Sequence, residues 1–335
     1  ISELTGLPMS NASVYEGPSA VAAAGYVAKL SRGRRRFVIS RGVHPHSREA
    51  LRTLARGWGM DVQEAPLTDG LTQLPRLDDQ VSAVIVQQPN FLGAVEDLEA
   101  IAAAAADAGA LSICACDPLP LALLKTPGAC GVDIAVGEGQ SLGNRLDYGG
   151  PSFGFFATTE ELIRRVPGRI AGETRDLDGR RGFVLTLQTR EQHIRRERAT
   201  SNITTAQALN ALAGVIYLSW LGRRGIVELA ELMVQRTAYA RDRLCAIEGV
   251  ELLHEQPVVR EFALTLPIPV PEALAACRER GVNPGYPLAR DYPEHPDGLL
   301  VALTERRTRT DIDKLADALE AAARAGAREF EGVAR

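Results

Sequence analysis

The sequence predicts an α/β fold built on a mostly parallel sheet, followed by a small α+β domain. Short apolar strands alternate with helical stretches from Ser19 to Gly139, a pattern typical of right-handed strand–helix–strand crossovers. After residue 245 the order changes to strand, strand, helix, strand, helix. A length of 335 residues and a hydrophobic content of 45% allow one large and one smaller domain. We therefore expect helices on both faces of the sheet, and any site in the loops at the carboxyl ends of its strands.

The elements are assigned from apolar runs bounded by turn residues and from alanine-rich helical stretches. The first helix, strand and helix are SAVAAAGYVAKLSRG, RRFVIS and GVHPHSREALRTLARGWG. Two strands, a helix and two strands follow, namely DVQEAP, SAVIVQQPN, AVEDLEAIAAAAADAGA, LSICACDP and DIAVGEG. Long helices are predicted from about Thr205 to Ile247, and then VELLHE, REFALTLP, PEALAACRERG, GLLVALTE and DIDKLADALEAAARAG. We predict a large domain at residues 1–245, which includes the long linking helices, and a small domain at 246–335.

Composition and charge limit the classes of partner. The net charge of −4 offers no overall attraction for nucleic acid or an anionic membrane. No apolar run is long enough to cross a bilayer and no signal peptide is visible, so we expect a cytoplasmic protein. The opening ISELTGLP is typical of a helix end followed by a turn, so we expect an N-terminal arm to be missing. The five cysteines are irregularly spaced and are interpreted as buried, reduced thiols rather than a zinc site: Cys114, Cys116, Cys130, Cys245 and Cys277.

A glycine-rich turn follows one predicted strand. Residues 133–143 read DIAVGEGQSLG and contain no lysine, histidine or cysteine that could do chemistry. The glycines give a backbone that can approach a ligand closely and present N–H donors. YGGPSFG follows the turn, and its Tyr148, Gly149 and Gly150 extend the same flexible, donor-rich backbone.

Three further turns are expected at the same edge of the sheet. Gly17 and Ser19 open a helix whose free N–H groups and positive dipole end suit a phosphate, although Ser19 could simply cap that helix. His44 and His46 follow a strand, and they could form a ligand pair, a stacking platform or part of a solvated turn. Asp117 ends a buried strand, where it either caps the next turn or pairs with a cation.

Taken in order, these turns resemble pyridoxal-phosphate enzymes of the aminotransferase-like fold, fold type I. In such enzymes a glycine–serine helix start holds the cofactor phosphate, and a histidine or aromatic residue stacks on the ring. An aspartate pairs with the pyridinium nitrogen, and a lysine forms a Schiff base. The resemblance implies the stacking position for His44 and the pyridinium position for Asp117.

A closer resemblance is to the P-protein of the glycine cleavage system, and within it to the N-terminal half or alpha subunit. The motifs that carry this resemblance span essentially the whole chain: ELTGLPMSNASVYEG, SRGVHPHSREAL, VIVQQPNFLGAVED, CDPLPLALLKTPGACGVDIAVGEGQSLG, YGGPSFGFFAT and TLQTREQHIRRERATSNITTAQAL. The second half of that family carries the Schiff-base lysine in a His-Lys pair before a glycine run. Counting back from the shared glycines places Gln140 at the lysine position, whereas counting forward from Asp133 places Ser141 there.

The lysine is therefore missing from the expected position. The chain contains only Lys29, Lys125 and Lys314. Lys125 and Lys29 are poor substitutes, because a Schiff-base lysine needs a desolvated pocket that lowers its pKa. We predict no catalytic residue in this chain and a vestigial cofactor pocket formed by Gly17, Ser19, His44, Asp117, Gln140 and Ser141.

The arginine-rich stretch TREQHIRRERATSN has two interpretations. Its alternating charges suit a solvated, self-neutralising helix face. The resemblance instead implies a subunit interface that surrounds an active site, where arginines suit carboxylates. The residues assigned to that interface are Tyr148, Gly149, Gly150, Arg190, His193, Arg195, Arg196 and Asn202.

The resemblance implies a subunit of a glycine decarboxylase heterotetramer. A homologous, lysine-bearing beta subunit would bind pyridoxal phosphate, and the complex would decarboxylate glycine and pass the aminomethyl group to the lipoyl arm of the H-protein. The isolated chain is then expected to be inactive. One alternative is a non-catalytic scaffold of the same fold. Another is a self-sufficient enzyme that uses a nucleotide, which the absence of G-x-G-x-x-G after the first strands disfavours.

Overall fold

The structure is a computed structural model that describes residues 1–199, 201, 203 and 207–333, with side chains described up to residue 325. Its helices are α1 Ser2–Thr5, α2 Gly17–Arg32, α3 Pro45–Trp58, α4 Leu98–Asp107, α5 Gln192–Arg195, α6 Ala208–Cys245, α7 Val270–Glu279 and α8 Arg309–Val333. Its strands are β1 Met9–Ser10, β2 Arg36–Ser40, β3 Asp61–Ala65, β4 Leu67–Thr68, β5 Leu71–Thr72, β6 Val81–Gln88, β7 Leu111–Cys116, β8 Ile134–Glu138, β9 Gly154–Thr158, β10 Ile170–Arg175, β11 Arg181–Thr186, β12 Glu251–Leu252, β13 Glu261–Thr265, β14 Tyr286–Pro287 and β15 Gly298–Ala302.

The chain forms two compact units. The first comprises Ile1–Leu67, Thr72–Gln88 and Glu96–Ile226, and the second comprises Thr68–Leu71, Pro89–Val95 and Val227–Arg335. The division falls inside α6, which Gly222 interrupts with a non-helical conformation at φ 61°. The predicted boundary at residue 245 is instead the C-terminal end of α6, and this assignment of domains stays a prediction.

The first unit is built on a seven-stranded sheet in the order β1-β9-β8-β7-β6-β2-β3. The strands β3, β2, β6, β7 and β8 pair in parallel, whereas β9 runs antiparallel to β8 and β1 antiparallel to β9. The predicted mostly parallel sheet is therefore confirmed. Its five parallel strands are the five that the apolar runs predict.

Side chains alternate across the sheet and form a core on each face. Phe37 and Ile39 of β2 pack in a cluster with residues of α2 and α3. Val38, between them, belongs to a second cluster with Ile101 and other residues of α4. Because consecutive side chains of a strand point to opposite faces, helices must cover both sides of these buried strands.

A two-stranded ribbon of β10 and β11 in the first unit was not predicted. Its strands pair antiparallel in a continuous register from Ile170–Thr186 to Arg175–Arg181. Most residues of both strands are exposed, so the segment lacks the apolar-in, polar-out alternation by which a half-buried strand is identified.

The second unit contains an antiparallel sheet in the order β12-β13-β15-β14. One apolar cluster joins β13 and β15 to α7, α8 and the C-terminal part of α6. The predicted order of strand, strand, helix, strand, helix is present as β12, β13, α7, β15 and α8. The additional strand β14 is two residues long and contains a proline, so its sequence carries no strand signal.

Candidate functional site

The turns singled out from the sequence lie at one edge of the large sheet. Because β2, β6, β7 and β8 are parallel, their carboxyl ends meet at the same edge. His44 follows β2, Asp117 follows β7, and Glu138 is the last residue of β8. A backbone hydrogen bond from the Asp117 N–H to the Gln88 carbonyl, at 3.2 Å, joins two of these strand ends.

The first turn of α2 has no backbone donor left for a phosphate. The Gly17 N–H donates to Glu138 Oε2 at 3.0 Å, and the Ser19 N–H donates to Glu16 Oε1 at 2.9 Å. The Ala20 N–H donates to the Glu16 carbonyl at 2.9 Å, and Pro18 has no N–H. The N-cap residue is Glu16 rather than Ser19, whose hydroxyl also donates to the Glu16 carboxylate. Two carboxylates of the chain itself therefore take the place that a helix N-terminus offers to an anion.

Glu138 joins three segments of the site. Besides the Gly17 N–H, its carboxylate accepts the N–H groups of Gln140 at 2.9 Å and Phe153 at 3.3 Å. Burial raises the pKa of Glu138, although these three hydrogen bonds act in the opposite direction. A Cβ placed on Gly17 would lie 3.1 Å from Glu138 Cβ, so glycine allows the close approach.

The two candidate positions for the lysine hold uncharged side chains. Gln140 Nε2 donates to the carbonyls of Arg145 at 3.3 Å and Pro151 at 3.0 Å, which ties the glycine-rich turn to the segment that follows it. Ser141 Oγ is buried and has no hydrogen-bond partner among the described residues. Neither side chain can form the covalent link that a Schiff-base lysine forms.

The three lysines of the chain, all in the described part, do not supply the missing amine. Lys125 pairs with Glu99 and is about half exposed, with 52% of its side chain accessible. The hydrogen bond with Glu99 raises the pKa of Lys125, which is the reverse of what a Schiff-base lysine requires. Lys29 Nζ lies 5.6 Å from the centre of the Tyr26 ring, and Lys314 lies on α8 in the second unit.

His44 and Asp117 take part in local turn structure. His44 is the N-cap of α3, and its Nδ1 accepts the His46 N–H at 3.1 Å. The His44 N–H donates to Gln87 Oε1 at 2.8 Å. Asp117 Oδ1 accepts the Leu119 N–H at 3.2 Å, so this carboxylate caps the following turn. The implied stacking and pyridinium positions stay predictions.

Arg190 is an internal anchor in the described structure. It is only 8% exposed, and its guanidinium donates to the carbonyls of Leu187 and Gly168, each at 3.0 Å, and to that of Val166. Burial lowers the pKa of Arg190, and the charge of Glu191 opposes this effect. The implied interface role of Arg190 stays a prediction.

The other residues assigned to an interface lie in exposed turns or around a cavity. Arg195 Nε donates to the Thr189 carbonyl at 3.2 Å, and Tyr148 and Arg196 are exposed with φ of 53°. Gly149 and Gly150 lie in a turn closed by the Gly150 N–H, which donates to the Asp147 carbonyl at 3.0 Å. His193 lines a cavity of about 420 Å³ together with Arg169, Ile170, Leu185, Thr186, Gln188, Glu191, Gln192 and Ile203. Asn202 lies outside the described residues.

Glu138 is the site residue to which sequence reasoning gave no role. Its only signal was an acidic side chain between two glycines with no cation nearby in the sequence. Within the described ranges, no group of three histidine, cysteine, aspartate or glutamate residues could hold a metal ion. None of the helices in the described part is both long and apolar enough to span a bilayer. Of the five cysteines, Cys130 and Cys245 are only partly buried, contrary to expectation.

Comparisons with known proteins agree on one family. The family model described as "Glycine cleavage system P-protein" matches residues 1–319. A probable glycine dehydrogenase (decarboxylating) subunit 1 of Geotalea uraniireducens is 49% identical over 326 residues, which cover 96% of this chain and 74% of the relative. A crystal structure of glycine decarboxylase (P-protein) of the glycine cleavage system, in inhibitor-bound form, is 44% identical with a TM-score of 0.93. The match covers 96% of this chain and 73% of that one.

A more distant likeness concerns the fold alone. A sphingosine-1-phosphate lyase of Burkholderia pseudomallei is 19% identical with a TM-score of 0.66, over 96% of this chain and 72% of that one. With the closer structure, it confirms the predicted aminotransferase-like α/β fold class.

Proposed function

Because the chain belongs to the family of the glycine cleavage system P-protein, we propose that it is subunit 1 of a glycine dehydrogenase (decarboxylating). This enzyme is an oxidoreductase that acts as a complex of subunits. In the proposed complex the partner is a homologous beta subunit that carries the Schiff-base lysine and pyridoxal phosphate. The complex decarboxylates glycine and passes the aminomethyl group to the lipoyl arm of the H-protein.

The assignment of pyridoxal phosphate to the partner rests on the N-terminus of α2, where side chains of this chain already occupy the backbone donors. A cofactor phosphate needs free backbone donors and a positive electrostatic potential. Here the donors of residues 17–20 are all satisfied, and the carboxylates of Glu16 and Glu138 would repel a phosphate. The residues of this chain therefore do not fit pyridoxal phosphate, which supports its assignment to the partner.

The chain's own residues would then act as a rigid frame for the partner. Glu138 fixes the glycine-rich turn to α2 and to Phe153, and Gln140 fixes the same turn to Pro151. A turn held by so many internal hydrogen bonds keeps one conformation without a ligand. It can therefore present a preformed surface to a second subunit.

The proposal is tested with the purified chain, a lysine-bearing homologous subunit, and both together. Glycine-dependent release of carbon dioxide is measured in the presence of lipoylated H-protein, and protein-bound cofactor is located by borohydride reduction and mass spectrometry. We expect activity only when both chains are present, and we expect the reduced cofactor to be attached only to the partner. Lys125→Ala serves as a control and should change neither result, because Lys125 is paired with Glu99 and half exposed. Cofactor bound covalently to this chain alone would contradict the proposal, and full activity of the partner alone would support the scaffold alternative.

A further inference from the structure

Exposed apolar side chains are concentrated in one stretch of the sequence within the first unit. Among the described residues, twelve of the fifteen large apolar side chains with high exposure lie between Leu146 and Trp220. Single exposed apolar residues are normal on a protein surface, but a concentration of them marks a binding surface.

Part of this concentration forms a stripe along α6. Leu209, Leu212, Ile216 and Trp220 are spaced three, four and four residues apart, which places them on one face of the helix. Their exposed fractions range from 52% for Leu212 to 85% for Trp220. We call these four residues the α6 stripe. An apolar helix face of this length is typical of a helix that packs against another protein surface.

The opposite face of α6 packs on the glycine-rich turn and the segment after it. A Cβ on Gly143 would lie 2.7 Å from Tyr217 Cβ, and a Cβ on Gly214 would lie 2.8 Å from the Phe153 ring. Asn210 Nδ2 donates to the Ser152 carbonyl at 2.8 Å. The glycine-rich turn and its continuation therefore use one face of α6, and the stripe remains exposed on the other.

The charge of the segment around the α6 stripe distinguishes two possible binding partners, a second copy of this chain and a different chain. Residues 191–227, which exclude the buried Arg190, contain five arginines and two glutamates, a net charge of +3 in a chain whose total is −4. No acidic residue occurs from 199 to 227. A two-fold contact between copies of this chain would bring this cationic segment against itself. A different chain with carboxylates around an apolar centre would instead be electrostatically complementary.

We propose that the α6 stripe is the docking surface for the lysine-bearing subunit, which contacts it with an apolar face flanked by acidic residues. The inference rests on the proposed function and deepens it. It places the partner one helix away from the glycine-rich turn, because the inner face of α6 contacts Gly143 and Phe153. The internal hydrogen bonds of the turn then fix the position of the helix that the partner binds.

The experiment compares Leu212→Glu and Ile216→Glu with the matched control Leu54→Glu. Leu54 lies on α3 of the same unit and is 45% exposed, so its substitution tests an exposed apolar helix position away from the stripe. All three chains should unfold at the same temperature as the wild type, because none of the replaced side chains is buried. Association with the lysine-bearing subunit is measured by sedimentation velocity. We expect Kd to rise about tenfold or more for each stripe variant and not for Leu54→Glu, because docking would bury an unpaired charge.

Hydrogen exchange of the wild-type chain gives a second measurement that needs no variant. Residues 208–221 should gain protection when the partner is added. If the wild type binds the partner while the stripe variants bind equally well and 208–221 gains no protection, the docking surface is wrong and the proposed function stands. If the wild-type chain does not bind the partner at all, the proposed function and this inference both fail. If the chain alone forms dimers that the stripe variants dissociate, the occupant is a second copy and the inference is overturned.

Discussion

The Glu138 carboxylate accepts the Gly17 N–H at 3.0 Å, across 121 residues of sequence. It lies at the N-terminus of α2, where the helix dipole and unpaired N–H groups favour negative charge. In the pyridoxal-phosphate enzymes that the sequence resembles, a helix start of this kind holds the cofactor phosphate. In this chain the Glu138 side chain supplies the hydrogen-bond acceptor, so the first N–H group of the helix is satisfied without a ligand.

Replacement of Glu138 by alanine should destabilise the first unit. The substitution leaves the N–H groups of Gly17, Gln140 and Phe153 without their acceptor, at a cost of roughly 2–4 kcal/mol in the free energy of unfolding. Urea unfolding followed by circular dichroism measures the change. Glu161→Ala, at an exposed glutamate, is the control and should stay within about 0.5 kcal/mol of the wild type. Equal stabilities for the two variants would show that the three hydrogen bonds contribute nothing measurable.

The raised pKa of Glu138 predicts a pH dependence with a definite sign. The folded-state pKa lies above the unfolded value, so the folded chain holds this proton more tightly than the unfolded chain. The contribution of Glu138 to stability therefore falls as the pH rises from about 4.3 through the raised pKa. Glutamine cannot ionise, so the stability advantage of the wild type over Glu138→Gln should shrink between pH 4 and pH 7. Urea unfolding of both chains at several pH values measures this difference in stability. A wild-type advantage that grows with pH would contradict a raised pKa for Glu138.

The apolar runs of the sequence predicted the strands that position the site, but not the long-range hydrogen bonds that Glu138 makes within it. The strands β2, β6, β7 and β8 are buried runs bounded by turn residues, so the sequence alone locates them and their shared edge. The partner of Glu138 lies 121 residues away, and no local pattern indicates that pairing. The arginine-rich stretch suggested a helix face, but its described residues form only short turns of helix, because the stretch has no apolar face to bury. These are the one-turn helix Gln192–Arg195 and the 3₁₀ turns Gln188–Arg190 and Arg196–Arg198.

A cluster of three arginines around Glu64 gives a prediction about the edge strand β3. The Glu64 carboxylate pairs with Arg41 at 2.9 Å, with Arg48 at 2.7 Å and with Arg52. Burial acts to raise the pKa of Glu64, but hydrogen bonds with Arg48 and Arg41 and their charges outweigh it, so the pKa lies below its ordinary value. Glu64→Gln removes the Glu64 charge that pairs with the buried Arg48 and should cost about 2 kcal/mol of unfolding free energy at pH 7.

The same cluster should make the chain sensitive to acid. Because the folded-state pKa of Glu64 is lowered, its stabilisation is present above the ordinary pKa of about 4.3 and is lost as the pH falls through the folded value. Glu49→Gln is the matched control, since Glu49 is exposed and lies 4.0 Å from Arg52. It should leave both the stability and its pH dependence unchanged. A Glu64→Gln chain that loses stability in acid as steeply as the wild type would rule out Glu64 as a cause of the acid sensitivity.

The buried guanidinium of Arg190 clamps the base of the ribbon formed by β10 and β11, where β10 begins and β11 ends. Val166 and Gly168, whose carbonyls it binds, precede β10, and Leu187, whose carbonyl it also binds, follows β11. A two-stranded ribbon is marginally stable by itself, so its conformation depends on this clamp. Arg190→Met keeps a side chain of similar length but removes every donor, which frees three carbonyls at the base of the ribbon.

Limited trypsin digestion should detect this release, because Arg175, Arg180 and Arg181 lie at the far end of the ribbon. We expect cleavage at these arginines to be several-fold faster in Arg190→Met than in the wild type, since local opening exposes the backbone to protease. Arg195→Met is the matched control, because Arg195 is exposed and its one hydrogen bond within the described residues is to the Thr189 carbonyl. Its cleavage rate should equal that of the wild type. Equal rates for the two variants would mean that the ribbon keeps its conformation without the clamp.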